Sequence, residues 1–357
     1  MIGSGAFADK KILIVDRDAK KSNDRTWCFW DKKPGLFEPV VFRSWNDLWF
    51  HGEDFTKEIT ISPYKYKMIR GIDFYNYCLN IIRQQKNFSF WNDEVSHVFS
   101  TSGATGIIVN GKAILCGHVF NSILFSKPVP KKNEIWLLQH FKGWIIETEK
   151  DVFDPSKATL MDFRISQEQG TAFCYVLPFS SRKALVEYTL FTPRLLQPGD
   201  YDKGLKNYIE EILNIRSYEV MDEEFGVIPM TNHPFSKGIK KLVNIGTAGG
   251  RTKGSSGYTF NFIQKHSVHL VHQLLNNKNM LGSVLIDKYR FYDSVLLQIL
   301  YQNTLPGKQV FTDLFKNNPA DKVLKFLDNE TSLQEELKII STLPTIPFLK
   351  AAVKVVF

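Results

Sequence analysis

Hydrophobic positions along this chain change their spacing several times, and each change predicts a different kind of element. Residues 11–15 form a short apolar run led by basic residues, the pattern of a buried parallel strand that ends at Asp16. Residues 24–66 are rich in Trp and Phe without helical spacing, which predicts loops and short strands. A helix is then expected with Asp73 as its cap, since the apolar residues that follow share one face: Phe74, Cys78, Ile81 and Ile82.

Strand-like patterns dominate the middle of the chain. Asn110-Gly111 separates two apolar runs, which is a hairpin signal. Between residues 135 and 190 one strand pattern follows another without helical spacing, and this favours an antiparallel sheet. A strand near 241–246 leads into a glycine-rich loop and a helix at about 259–275, and several helical stripes occupy residues 283–357.

Composition narrows the class of protein only a little. The 28 Phe, 13 Tyr and 7 Trp suit a large apolar ligand or ordinary core packing. Four scattered cysteines without a CxxC pair favour reduced thiols in a cytoplasm over a disulfide frame or zinc site. The net charge of +8 forms no basic stripe, so we favour an anionic membrane face over nucleic acid, with plain solubility as the alternative. No stretch approaches the ~20 apolar residues of a membrane span.

The first glycines match the sequence pattern of the dinucleotide fingerprint but not its expected structural context. Gly3, Gly5 and Ala8 satisfy G-x-G-x-x-G/A, but no strand fits before Gly3 and no helix of three turns fits before Asp16. We therefore interpret the match as accidental. The chain is expected to begin near the second strand of a nucleotide-binding fold, with the first strand and its phosphate loop absent.

Residues 244–260 carry the strongest chemical signal. A buried strand feeds a loop with five glycines, which leads to a helix N-terminus where free N–H groups and the helix dipole favour an anion. Glycines let the backbone approach a pyrophosphate or a flavin ring closely. The alternative interpretation is a flexible surface loop.

Six segments along the chain form a distinctive set: DRTWCFW (24–30), QHFKGWIIET (139–148), LMDFR (160–164), ALVEYTLF (184–191), IPMT (228–231) and IGTAGGRTKGSSGYTF (245–260). In this order they resemble segments of the bacterial lycopene beta-cyclases, which belong with the FAD-dependent lycopene cyclases. The resemblance runs from about residue 9 to the C-terminus. It implies the flavoprotein-monooxygenase architecture, a mixed α/β fold.

The architecture implied by this resemblance interleaves its domains along the chain. A three-layer ββα FAD domain, incomplete without its first strand, would take residues 1–33, 67–130 and 236–280. An antiparallel-sheet substrate domain would take residues 34–66 and 131–235. A helical region would follow at 281–357.

Two features depart from the family's pattern. The strand and GxGxxG loop with which family members begin have no counterpart in residues 1–8, so either the chain is N-terminally truncated, as a fragment or a wrongly started chain, or its FAD affinity is severely impaired. The family's Lys-Pro-Ser-Thr-Gly-Tyr reads KGSSGY at residues 253–258, and loss of the proline loosens the loop. The family itself departs from the usual flavoprotein Gly-Asp pair, since Thr247 stands where an acid would contact ribose.

The resemblance implies proton-initiated cyclisation of the linear ends of lycopene to beta-ionone rings, giving beta-carotene via gamma-carotene. The family requires reduced FAD although the reaction has no net redox change, and NAD(P)H is the expected reductant. Glu187 is the implied catalytic acid. Because Leu185, Glu187 and Thr189 share one face of an otherwise apolar strand, desolvation would raise the pKa of the Glu187 carboxyl. A carboxylate on a solvent face is the alternative.

The resemblance also implies the cofactor contacts. Asp16 would bind ribose, or simply end its strand, and Arg25 would approach the flavin or form a structural salt bridge. Trp27, Trp30, Phe141 and Trp144 are candidates for a polyene tunnel, with core packing as the alternative. The cofactor-binding candidates are Asp16, Arg25, Gly246, Ala248, Gly249, Gly250, Lys253, Gly257, Tyr258 and Thr259.

Expected partners are a carotenoid and a membrane surface met from the cytoplasm, with neither nucleic acid nor metal. Residues 346–357 would lie in the membrane interface or pack as a terminal helix. Two rival functions fit the same residues: a flavin-dependent hydroxylase of this architecture, and a truncated, non-catalytic remnant that binds carotenoid or membrane.

Overall fold

The computed structural model describes residues 1–281 and 288–356. Residues 282–287 and Phe357, near the two ends of the predicted helical region, lie outside the described residues. The strands are β1 (Ile12–Val15), β2 (Thr26–Asp31), β3 (Arg43–Trp45), β4 (Asp47–His51), β5 (Thr56–Thr60), β6 (Lys65–Arg70), β7 (Phe88–Trp91), β8 (Val95–Ser100), β9 (Thr105–Val109), β10 (Lys112–Leu115), β11 (Val119–Asn121), β12 (Trp136–Glu147), β13 (Lys157–Asp162), β14 (Thr171–Pro178), β15 (Lys183–Thr192), β16 (Glu219–Thr231), β17 (Gly238–Ile239) and β18 (Leu242–Asn244). The α-helices are α1 (Gly71–Arg83), α2 (Pro198–Asn207), α3 (Phe260–Leu275), α4 (Lys288–Gln302), α5 (Gly307–Asn317), α6 (Ala320–Leu327), α7 (Leu333–Ile340) and α8 (Thr345–Val356).

A seven-stranded sheet with the order β16-β12-β15-β14-β13-β4-β5 forms the largest layer. Its middle is antiparallel, as the strand patterns predict. The exception is β4, which pairs in parallel with β13. Because β4 comes from the Trp- and Phe-rich early segment and joins the sheet from outside the meander, its direction is not set by a hairpin.

The alternation predicted for β15 is confirmed. Val186, Tyr188 and Leu190 pack on one face of the sheet against α2, in a cluster that includes Tyr201 and Leu205. The opposite face of the sheet packs against the rest of the molecule, where Leu185 and Phe191 join the main core. Side chains of adjacent residues on one strand therefore meet two different environments.

Smaller sheets complete the fold. Strand β1 pairs in parallel with β7, and β11 pairs in parallel with β18, which agrees with the parallel strand predicted for residues 11–15. Asn110 and Gly111 have φ of 49° and 74° and close the β9–β10 hairpin, as the Asn-Gly signal predicts. Gly3 and Gly5 lie in and after a single 3₁₀ turn that leads to β1, and the fingerprint's strand and helix do not flank them.

The predicted cap of α1 is wrong. Arg70 occupies the cap position, and Asp73 lies inside the first turn. There the Asp73 carboxylate accepts hydrogen bonds from Arg70 Nε at 2.6 Å and Nη2 at 3.0 Å. A carboxylate in the first turn interacts favourably with the helix dipole, so the sequence signal marks the helix start but shifts the cap by three residues.

The C-terminal helices form two groups. Helices α5 and α6 bury Phe315, Val323 and Leu324 in the main core. Helix α8 packs on α4 through Ala351 and its neighbours. Among the helices of residues 1–281 and 288–356, none combines the length and hydropathy needed to cross a membrane.

Candidate functional site

A cavity of about 480 Å³ lies between the large sheet and the glycine-rich loop. This volume is typical of a small-molecule site. The sheet supplies its floor, residues 24–28 of β2 and its approach form one wall, and residues 256–260 form the opposite wall. Phe141, Tyr175 and Leu177 make much of the floor apolar and aromatic.

Four residues stand in one row across the floor. Strand pairing places Glu224 of β16 opposite Gly143 of β12, Gly143 opposite Glu187 of β15, and Glu187 opposite Tyr175 of β14. Directly opposed residues of antiparallel strands project to the same face. Two glutamates from separate strands therefore flank a glycine on the cavity side.

Gly143 is what allows the two glutamate side chains to meet. A Cβ atom at this position would lie 2.8 Å from Leu185 Cδ1 and 3.2 Å from Glu224 Cγ. The space above Gly143 is thus occupied by side chains from both neighbouring strands. A glycine in a strand interior marks a close approach of this kind.

Each glutamate is held by a threonine. Thr189 Oγ1 donates to Glu187 Oε1 at 2.8 Å, and Thr26 Oγ1 donates to Glu224 Oε2 at 2.7 Å. Both side chains project to the space over Gly143. Two carboxylates held close together resist simultaneous ionisation, so this arrangement favours a state in which one of them keeps a proton.

Burial, followed by the nearby charge of Glu224, raises the pKa of Glu187 well above its ordinary value. Burial also raises the pKa of Glu224. By accessible area both residues are only partly buried, because their exposed surface faces the cavity while protein atoms enclose them elsewhere. The shift is toward the protonated acid, which is the direction that the desolvation argument from its strand predicts.

Aromatic side chains connect the loop to the floor beside this pair. Tyr258 and Tyr175 both line the cavity, and the ring of Tyr258 meets Trp30 edge-on with centroids 4.6 Å apart. Trp27 meets Phe260, the first residue of α3, at 4.8 Å. The walls near Glu187 thus combine ring faces with a few polar groups.

The glycine-rich loop reaches the sheet because of Gly257. This residue has φ of +72°, and a Cβ there would lie 2.1 Å from Gln139 Oε1 of the floor. Thr259 Oγ1 donates to the Gly257 carbonyl at 2.8 Å and fixes the turn before α3. Any side chain at 257 would push the loop away from the sheet.

Five of the residues predicted for the site line the cavity: Arg25, Glu187, Gly257, Tyr258 and Thr259. The Arg25 guanidinium forms an ion pair with Asp24, 2.6 Å away. Asp24 also accepts a hydrogen bond from the Tyr75 hydroxyl at 2.7 Å, which fixes this pair against α1.

The other predicted contacts lie outside the lining. Gly246, Ala248, Gly249 and Gly250 belong to a 3₁₀ turn and its left-handed end, and only Thr247 of this turn lines the cavity. Asp16 accepts a hydrogen bond from the Asp18 N–H at 2.9 Å and pairs with Lys20 at 3.1 Å, so its carboxylate serves its own turn.

Lys253 points into the protein rather than the cavity. Its ammonium is buried and lies 2.8 Å from both Asp293 Oδ1 and Asn329 Oδ1. Its backbone N–H donates to the Tyr258 carbonyl at 2.9 Å. The lysine therefore ties the loop to the C-terminal helices.

The four tunnel candidates divide into two pairs. Trp27 and Phe141 line the cavity. Trp30 is buried in the main core, and Trp144 packs in the cluster with α2 on the far side of the sheet. For Trp144 the reason is the alternation of β12, which turns 144 away from the face that carries 141 and 143.

Sequence reasoning missed Glu224, Thr26 and Gln139. The available signal was the acidic run 222–224 before Gly226, Ile228 and Met230, because the same alternation that buries Met230 turns Glu224 inward. Which acid of the run faces Glu187 depends on the strand register of β16 with β12 and of β12 with β15. These segments lie far apart in the chain, and no segment alone specifies the register.

The lining has groups that fit a flavin ring. Trp27 Nε1, Ser256 Oγ and Gln139 Oε1 are buried and have no hydrogen-bond partner in the described part of the chain. Two donors and an acceptor suit a planar ring with both carbonyl and N–H groups. The predicted contacts at Asp16 and in the 3₁₀ turn, by contrast, are not among the residues that line the cavity. Within residues 1–281 and 288–356, no group of three or more His, Cys, Asp or Glu side chains is arranged to hold a metal.

Solved structures with this arrangement define the class of fold. A flavoprotein/dehydrogenase from Cytophaga hutchinsonii superposes with a TM-score of 0.63 at 11% identity, covering 97% of this chain and 93% of that one. The protein CtdE, solved with FAD and a substrate, gives 0.54 at 11% identity and covers 98% and 95%. The fold is that of the FAD-dependent flavoproteins, a mixed α/β architecture.

The family itself is narrower. The profile described as "Lycopene cyclase protein" matches residues 6–353, and the chain belongs to this family. A lycopene beta-cyclase of Pseudescherichia vulneris is 23% identical over 236 residues, or 63% of this chain. The match spans 56% of that relative's length.

Proposed function

We propose that this protein is a lycopene beta-cyclase, which closes the linear ends of lycopene into beta-ionone rings. The observation that carries the proposal is Glu187, a carboxyl group on the floor of a largely aromatic cavity, where burial raises its pKa well above the ordinary value. Family membership supplies the substrate class, a carotenoid. A buried carboxylic acid supplies the reagent that a polyene needs to begin cyclisation, a proton donor shielded from water.

The reaction begins when Glu187 gives its proton to the terminal double bond. A C–H bond forms, the O–H bond of the carboxyl breaks, and the positive charge moves onto the substrate. The neighbouring double bond then attacks the cationic carbon and closes a six-membered ring. Loss of a ring proton to the carboxylate restores the acid, so that substrate and product have the same composition.

The cavity walls protect the cation during these steps. The ring faces of Trp27, Phe141 and Tyr175 present negative quadrupole density to positive charge. The same rings exclude water, which would otherwise capture the cation as an alcohol. Closure without a hydroxylated by-product is the expected consequence.

Reduced FAD is the proposed cofactor, with NAD(P)H as its reductant. Trp27, Gln139 and Ser256 would hold the ring, with Arg25 and Thr259 at its edges. When bound, an anionic reduced flavin supplies negative charge beside the developing cation.

Peripheral membrane association is proposed through α8, which would let a hydrocarbon enter from a bilayer on the cytoplasmic side. One face of this helix packs on α4, while Ile346, Leu349 and Val353 on the other are 58–68% exposed. Lys350 and Lys354 are also exposed and would meet anionic headgroups. The proposal therefore combines the two interpretations of residues 346–357 and assigns one to each face of the helix.

Vesicle co-sedimentation tests the membrane proposal. Changing Ile346, Leu349 and Val353 to Ser should weaken binding to anionic vesicles roughly tenfold or more. The matched control changes Leu333 and Leu337 of α7, each 58% exposed, to Ser. Equal losses in the two variants would contradict a dedicated surface on α8.

The catalytic proposal is tested with the purified protein, reduced FAD and lycopene without oxygen. The expected product has the mass of lycopene and absorbs at shorter wavelength, because the ring double bonds twist out of the plane of the polyene. A product that gains oxygen and consumes a nicotinamide nucleotide would indicate a hydroxylase instead. Unchanged lycopene, with flavin demonstrably bound, would contradict both activities.

A further inference from the structure

We propose that Glu224 is the proton-sharing partner of Glu187, so that the reactive acid is a pair of carboxyl groups that meet over Gly143. The inference rests on the proposed function for its chemical role. Its structural basis is independent, because it follows from strand register and hydrogen bonding. Glu224 acts through Glu187 and is therefore a positioning residue.

Counting hydrogen bonds leads to a single shared proton. Thr26 and Thr189 each donate to one glutamate oxygen. Glu224 Oε1 is buried and has no donor among the described residues. If both acids were ionised, this oxygen would therefore stay unpaired. A proton on Glu187, which the strand register places on the same face across Gly143, supplies that donor. Leaving such an oxygen unpaired in the protein interior is costly.

Glu224 raises the pKa of Glu187 through its like charge. Two carboxylates held together resist simultaneous ionisation, so the first proton lost is followed by a second only at much higher pH. Glu224 thereby keeps Glu187 protonated where an isolated glutamate would be ionised. After proton donation, the same repulsion makes the pair a strong acceptor for the proton that leaves the ring.

Glu223 shows that these properties come from position rather than from the residue type. It lies next to Glu224 on β16 but projects to the other face, where its carboxylate is 3.0 Å from Lys142 Nζ. Lys142 also pairs with Asp202 at 2.6 Å. Of these two adjacent glutamates, Glu223 forms a salt bridge and Glu224 joins the carboxyl pair. Glu223 is therefore the matched control.

The pH dependence of cyclisation tests this inference. Cyclisation requires protonated Glu187, so the rate holds below the raised pKa and falls as pH rises through it. In Glu224→Gln the neighbouring charge is lost and the amide donates to the Glu187 carboxylate. The alkaline limb should move to lower pH by about one unit or more. Glu223→Gln should keep the wild-type limb. An unmoved limb in Glu224→Gln overturns the inference.

A measurement without substrate separates this inference from the proposed function. Infrared spectra of glutamate-labelled protein should show a carboxylic-acid carbonyl band at neutral pH that disappears in Glu187→Gln. In Glu224→Gln the band should be lost at a lower pH than in the wild type, while Glu223→Gln leaves it in place. If this holds and lycopene is not cyclised, the pair stands and the proposed function fails. A wild-type protein without the band contradicts the pair, whatever its activity.

Discussion

The two faces of the seven-stranded sheet are built from the same strands and solve opposite problems. Toward α2, charges are neutralised: Lys142 lies between two acids, and Val186 and Leu190 pack without accessible surface. Toward the cavity, Glu187 and Glu224 bring like charges together. The face toward α2 is arranged for stability. The cavity face holds two acidic groups together, which lowers the stability of the fold and which a stable core alone would not require.

The largest expected difference between the faces is catalytic. Glu187→Gln keeps the size and hydrogen-bonding capacity of the side chain but removes the acidic proton. We expect the cyclisation rate to fall about a hundredfold to ten-thousandfold, the usual contribution of a positioned acid. Product analysis measures the rate, and circular dichroism checks that the fold is intact. Near-normal turnover would remove Glu187 from the mechanism.

Truncating the α2 face should instead reduce stability. Leu190 is fully buried beside α2, so Leu190→Ala should lower the free energy of unfolding by about 2–5 kcal/mol. Activity per folded molecule should be unchanged. Leu185→Ala on the cavity face is the comparison, since Leu185 lines the cavity and its loss should lower both quantities. Denaturant titration with parallel rate measurements distinguishes the two faces.

Adding one methyl group between the glutamates should disturb the pair directly. In Gly143→Ala the new Cβ meets Leu185 Cδ1 and Glu224 Cγ, which must move apart. The rate should fall by up to about a hundredfold, because small displacements of reacting groups are costly. Gly199→Ala is the control, since nothing lies within 4 Å of that position. Equal effects of the two variants would contradict the role of Gly143.

The smallest expected effect is on stability and depends on pH. Because the folded-state pKa of Glu187 is raised, the folded protein holds a proton that the unfolded chain releases above a pKa of about 4.3. Its contribution to stability is therefore full below that pH and is lost as pH rises toward the folded pKa. Glu187→Gln should be the more stable protein at neutral pH, by on the order of 1 kcal/mol. The difference should vanish in acid, as thermal unfolding across pH would show.

The sequence predicts the strands of the large sheet, the hairpin at Asn110-Gly111 and the orientation of Glu187, because each follows from local alternation or turn chemistry. The fold class, which is confirmed, was predicted from the long motifs that resemble those of the family. Lys253 and Asp16 are different cases: sequence position suggests a ligand, but Asp293 and Lys20 engage their charges. The sequence does not single out Glu224 within the run 222–224, because its pairing with Glu187 depends on the strand register at the distant Gly143.

The measurement that tests the central claim most directly is cyclisation in deuterated water. If the buried, exchangeable carboxyl of Glu187 starts the reaction, each ring formed by the wild-type protein carries one deuterium from solvent, and Glu187→Gln forms no labelled ring. Rings without deuterium, or labelled rings formed equally well by Glu187→Gln, would contradict a proton delivered by this acid.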